Sequence, residues 1–164
     1  MLQRIQTVYM LLAVVFTVAC LCMQIGTFSG ADQLEVREFN LWLTAQPGGV
    51  RQFTVWPLFA VLVLSASVGT CTVFLYRNRR LQARICAFNM LLILGWYILY
   101  AVFSQTLVSI FPAPSTLHPS PSTFTTFTPS LAASFPCVAT ILYVLARRAI
   151  IADERLVLAA DRIR

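Results

Sequence analysis

Residues able to do chemistry are sparse in this sequence, and their spacing builds no reactive set. The one histidine, His118, stands in a Pro/Ser/Thr-rich stretch with no Asp, Cys or second His beside it, so it reads as a solvated loop residue. The five cysteines, Cys20, Cys22, Cys71, Cys86 and Cys137, fall in or at the edge of long apolar runs, where cysteine behaves as a small apolar residue. Cys20 and Cys22 point about 200° apart on a helix and cannot share an ion. The six acids form two groups, Asp32, Glu35 and Glu38 in one and Asp153, Glu154 and Asp161 in the other. No Ser/His/Asp, HExxH or paired-carboxylate arrangement exists, so no catalytic, cofactor-binding or metal residue is assigned and no enzyme or cofactor is expected.

The elements that hold these residues are four apolar runs, with spans at about 8–28, 54–76, 85–111 and 130–151. Each is about as long as the 20 residues that cross a hydrocarbon core of roughly 30 Å, and charge is confined to the flanks. Hydrophobic residues make up 59% of the chain and charged residues 11%, against about a quarter charged in soluble domains, which leaves no soluble domain to present the basic balance to a nucleic acid. The predicted fold is an all-α membrane protein, an antiparallel four-helix transmembrane bundle. Thr17-Val18-Ala19-Cys20 resembles a lipoprotein cleavage box, but the apolar run continues through Ile25, so the first run is read as an uncleaved span.

All twelve basic residues are arginine, and their distribution sets the orientation. Ten fall on one side: Arg4, the cluster Arg77, Arg79, Arg80 and Arg84, and Arg147, Arg148, Arg155, Arg162 and Arg164. Only Arg37 and Arg51 fall on the other. The positive-inside rule makes the rich side cytoplasmic, with N-in and C-in termini. Arg4, Arg77, Arg79, Arg80, Arg84, Arg147 and Arg148 are therefore assigned to topology and lipid headgroup contact, each contributing about 1 kcal/mol near an anionic surface.

Residues 29–53 form the first outer loop. Partial alternation over Leu34–Leu43, a turn signal at Gln46-Pro47-Gly48-Gly49 and renewed alternation to Phe53 predict a small periplasmic β-hairpin. A lone hairpin is marginal, so Phe39, Leu41 and Trp42 need a surface to rest on and are candidate partner contacts. In the second span Ser65 and Gly69 share a small-residue face, and Asn89 in the third is placed for an interhelical hydrogen bond; both read as helix packing. Residues 112–129 are predicted to be an irregular periplasmic loop, with Thr128 and Pro129 starting the fourth helix and Pro136 kinking it. The tail, 147–164, repeats a heptad in which Glu154 and Arg155 align with Asp161 and Arg162. It is predicted to continue the fourth helix into the cytoplasm, and those four residues are further candidate partner contacts.

Met1-Leu2-Gln3-Arg4-Ile5-Gln6-Thr7-Val8-Tyr9 resembles the opening of a Bacteroidota four-span inner-membrane family known as domain of unknown function 4293. The close, Arg148-Ala149-Ile150, then Asp153-Glu154-Arg155-Leu156-Val157 and Ala160-Asp161-Arg162-Ile163-Arg164, is similar to that family's usual end, where lysine more often stands at some positions. The resemblance implies an inner-membrane protein of a diderm bacterium and carries no activity with it. A transporter would place an ionisable group near a span's midplane, and none of the four runs holds one. The expectation is an accessory or scaffold subunit of a larger inner-membrane complex, with lipids and other membrane subunits as partners. The alternative is a binder of lipid or small hydrophobes at a cleft by Pro136, or a small transporter component.

Overall fold

The computed structural model describes residues 2–30, 35–46, 51–75, 78–110 and 124–161. Four helices dominate it: α1 (Leu2–Cys22), α2 (Trp56–Phe74), α3 (Arg79–Ile110) and α4 (Phe135–Asp161). All four are long and apolar enough to cross a membrane. They run antiparallel, α1 packing on α2 and α4, and α3 on α2 and α4. Their buried positions explain the bundle. Gln6, Met10, Ala13, Thr17 and Cys20 on α1 recur at alternating steps of four and three, as do Leu58, Leu62, Ser65, Gly69 and Thr72 on α2. Cys86, Asn89, Ile93, Trp96 and Tyr100 on α3 and Ala139, Tyr143, Ala146 and Ile150 on α4 repeat the step. A mean near 3.5 keeps one stripe of each helix facing its neighbours, the left-handed bundle geometry.

Polarity is inverted relative to a water-soluble bundle. Val8, Leu11, Val15, Leu64, Leu91, Leu94, Ile98 and Ile141 are exposed, whereas Gln6, Thr17, Ser65, Thr72, Gln82 and Asn89 are buried. Lipid as the outer solvent explains it, since hydrocarbon leaves apolar flanks no reason to hide and polar groups must find partners inside. Thr17 donates to the Ala13 carbonyl, Thr72 to the Val68 carbonyl and Gln82 to the Thr72 carbonyl.

One end of the bundle carries a five-stranded antiparallel sheet, which replaces the expected two-stranded hairpin and makes the fold mostly helical with a small sheet. Its strands are β1 (Gln24–Gly30), β2 (Glu35–Phe39), β3 (Leu43–Gln46), β4 (Arg51–Gln52) and β5 (Phe124–Pro129), in the order β4-β3-β2-β1-β5. The first span was read too far: its helix stops at Cys22, and the apolar residues beyond it are strand β1. The predicted single strand over Leu34–Leu43 is instead two strands, closed by the Phe39 amide donating to the Trp42 carbonyl at 2.9 Å. Part of the Pro-rich loop is regular too. Phe124–Pro129, rich in the β-favouring residues Phe and Thr, pairs along β1, with Phe28 opposite Phe127 and Thr27 opposite Thr128.

Thr128 and Pro129 consequently lie in a strand rather than at a helix start. A 3-10 turn, Leu131–Ser134, leads into α4 at Phe135. Pro136 is thus the second residue of α4, where its missing N–H deprives no carbonyl of a bond, and the expected kink is corrected to a helix start. The apolar tail residues do continue α4, to Asp161.

The sheet is two-faced. Pairing sets Thr128, Thr27, Arg37, Thr44 and Arg51 in one row across it, facing away from the helices. The inward rows are Pro129, Gly26, Glu38, Leu43 and Gln52, and Phe127, Phe28, Val36 and Ala45. Ile25, Phe28 and Leu43 are buried with Val55, Leu58, Trp96 and Tyr100 in one core shared by sheet and helices.

Candidate functional site

The junction of sheet and helices holds a linked set of buried polar groups, and it is built around an asparagine. The last carbonyls of an α-helix have no helical partner. Asn40, in the turn after β2, supplies one: its amide nitrogen donates to the Cys20 carbonyl at 2.7 Å. Its carbonyl oxygen accepts from the Trp96 indole nitrogen at 3.1 Å. One fully buried side chain therefore ties the end of α1 to the middle of α3. Trp96 stacks on Tyr100, ring centroids 5.2 Å apart and planes within 7°, and the Tyr100 hydroxyl donates to the Ile25 carbonyl of β1 at 2.8 Å. Tyr97 donates to the Ala133 carbonyl at 2.8 Å, linking α3 to the turn before α4.

Beside this bracket lies Glu38, with 0% exposure. Strand alternation turns Val36 and Glu38 inward and leaves Glu35 and Arg37 exposed. Glu38 stands opposite Gly26 in the ladder, and a Cβ on Gly26 would lie 3.1 Å from Glu38 Oε2 and 2.6 Å from Phe127 Cε2. Only glycine lets the strands and the Phe127 ring close over the carboxyl. Neither Glu38 oxygen has a hydrogen-bond partner among the described residues. Desolvation without a compensating donor penalises the charged form, and burial pushes the carboxyl up to about 8.

The other sequence-derived positions fall into place around this junction and at the opposite end. Phe39 and Trp42 pack on each other at 5.6 Å, Phe53 stands edge-on to Trp42, and the Arg51 guanidinium lies 5.0 Å above the Trp42 ring. Leu41 is half-buried in the same turn. These residues form a belt between sheet and bundle, with Trp56 exposed near it, as aromatic side chains do at a membrane interface. Midway down the bundle, Ser65 donates to Asn89 Oδ1 at 2.8 Å. The Asn89 amide nitrogen, the Tyr143 hydroxyl and a Val14 methyl converge on Gly69, so four helices meet at one glycine.

At the far end Arg79 pairs with Asp153 at 2.6 Å and Arg80 with Glu154 at 2.5 Å. Both ion pairs clamp the start of α3 to the end of α4, so Glu154 has an internal partner. Arg84, Arg147 and Arg148 are exposed. His118, Arg77, Arg162 and the Pro47–Gly49 turn lie outside the described residues, as do the side chains of Arg4, Arg155 and Asp161. Among the described residues no group of three His, Cys, Asp or Glu could hold a metal ion.

The sequence reading missed Glu38, Asn40, Trp96, Tyr100 and Gly26 as a unit. A signal was present for Glu38: it shares strand parity with Val36, the apolar side. Beside Tyr100 the surface opens into an apolar groove of about 510 Å³ lined by Tyr97, Tyr100, Pro129, Leu131, Ala133 and Cys137 among others. Pro136, to which the expected cleft was assigned, is not among its lining residues.

A family model described as Domain of unknown function (DUF4293) matches residues 2–163. The chain belongs to that family. No curated protein matches it.

Proposed function

We propose that this protein is a non-catalytic accessory or scaffold subunit of a larger complex in the inner membrane of a Bacteroidota bacterium. In this reading both termini are cytoplasmic, the sheet is periplasmic, and the remaining partners are membrane lipids, not nucleic acid. The carrying observation is the sheet itself. Two outer loops far apart in sequence combine into one platform, fixed to the helices by Asn40, Tyr97 and Tyr100 and ending in the edge strand β5. An edge strand presents backbone donors and acceptors on one side, and proteins that leave one accessible use it to add a partner's strand. The filled bundle axis, with Met10, Ile93, Trp96 and Tyr143 all buried, fits a structural part better than a conduit.

A photo-crosslinking amino acid at Thr126 or Thr128 tests the reading in living cells, with the same substitution at lipid-facing Leu91 as the control. A discrete protein adduct from β5 and none from Leu91 supports it. Lipid adducts alone from all three sites would count against it. The groove beside Tyr100 favours a second reading, a lipid or small-hydrophobe binder or small transporter component, which a lipid adduct confined to Leu131 on the groove wall would support.

A further inference from the structure

We infer that Glu38 is a proton-binding site that latches the sheet to the helix bundle: the protonated carboxyl lets the inner face of the sheet seat, and loss of the proton to water releases it. The argument starts from access. An exposure of 0% means that no water-sized sphere, and so no hydrated cation, reaches the side chain; among the described residues no group of three His, Cys, Asp or Glu surrounds it to replace a bare cation's water, which leaves the proton as the ligand.

The second observation is the surroundings. Gly26 and Phe127 close over the carboxyl from β1 and β5, and Leu43 lies beside it on β3. From the helices come Trp96 and Tyr100 of α3, and Cys20 of α1 near Asn40. Among the described residues the titratable groups on this side are Tyr97, Tyr100 and Cys20, each neutral when protonated and negative when not, so none of them can offset a carboxylate. The charged residues of the sheet, Glu35, Arg37 and Arg51, belong to its outer rows. Neither oxygen of Glu38 accepts a hydrogen bond from any of the described residues. Burial accordingly raises its affinity for a proton, up to about 8.

An ionised Glu38 can recover hydration only if the sheet parts from the helices. The bonds that would open are Asn40 to Cys20, Trp96 to Asn40 and Tyr100 to Ile25. Cys20, buried under that bracket, reports the opening. The inference does not depend on the scaffold reading, because it concerns the seat of the sheet rather than what the sheet binds.

The test uses the full chain in lipid nanodiscs, with Cys20 kept and the other four cysteines changed to serine, and measures maleimide labelling from about pH 6 to pH 9. The same chain with Glu38→Gln corrects for the pH response of the thiol. The expected result is that labelling of the Glu38 chain, relative to Glu38→Gln, rises about tenfold per pH unit from about pH 6 to about pH 8, the slope of a one-proton event, and levels off above that. A constant ratio across the range overturns the inference. Infrared difference spectroscopy on 13C-glutamate-labelled protein reads the proton directly. A neutral-carboxyl band at about pH 6.5 that is present in the wild type and missing from labelled Glu38→Gln belongs to Glu38. Absence of that band also overturns it.

Discussion

Replacing Glu38 by glutamine should make the protein more stable at neutral pH and flatten its pH profile. The carboxyl's ordinary value is 4.5 and its value in the folded protein about 8. A raised folded value means that the native state holds the proton while the unfolded chain has released it. Below about pH 4.5 both states are protonated and the group costs nothing. From there to about pH 8 the stability of the wild type falls with each unit of pH, by about 1.4 kcal/mol. At pH 7 some 2.5 units have been crossed, a deficit of about 3 kcal/mol. Above pH 8 the deficit levels off at roughly 5 kcal/mol. The assay is reversible unfolding of both proteins in mixed micelles with increasing denaturing detergent, at about pH 5, 7 and 8.5. The wild type should lose stability relative to Glu38→Gln at each step. Parallel curves at all three pH values would refute the argument, because they would mean that Glu38 titrates alike in the folded and unfolded chain.

Three further outcomes follow from the geometry. Asn40→Ala leaves the Trp96 indole and the Cys20 carbonyl without their partner and should cost about 2–4 kcal/mol, read in the same unfolding assay with a shift in tryptophan emission. Gly69→Ala drives a methyl into the Tyr143 hydroxyl and places it 2.9 Å from Val14 Cγ2 and 3.2 Å from Asn89 Nδ2, and overpacking of this kind should cost about 1–3 kcal/mol; no loss would mean the helices cross elsewhere. Arg79→Asp should loosen the end of α4 by no more than about 1 kcal/mol, since the pair is partly exposed, and adding Asp153→Arg should restore protease resistance at that end.

Much of the helical frame was legible in the sequence, because a membrane span is a local property: its length and lack of charge are read without knowing its neighbours. The Ser65 and Gly69 face and Asn89 were legible for the same reason, although their meeting was not. The sheet was not legible. β1 follows α1 with no charged residue and no proline between them, so Ile25 and Phe28 read as more helix, and what makes them strand is pairing with Thr126–Pro129 about a hundred residues later. In 112–129 the density of proline outweighed the β-favouring Phe and Thr of Phe124–Pro129. Pro136 was misread because the helix start was set by Thr128 and Pro129, which the same pairing takes into the sheet. Glu38 looked like one more solvated acid between Arg37 and Phe39. Only its parity with Val36 pointed inward, and a single period-2 step carries little weight until the sheet gives it a face.

Everything proposed about partners rests on the side of the membrane that each end of the bundle occupies. The most direct measurement is labelling of intact cells with a membrane-impermeant maleimide, using chains that carry one added cysteine in a cysteine-free background, at Thr128 on the sheet or at Arg148 on α4. The account predicts that Thr128→Cys is labelled in intact cells once the outer membrane is permeabilised, and that Arg148→Cys is labelled only after the inner membrane is broken. Labelling of Arg148→Cys before lysis, with Thr128→Cys protected, would contradict it.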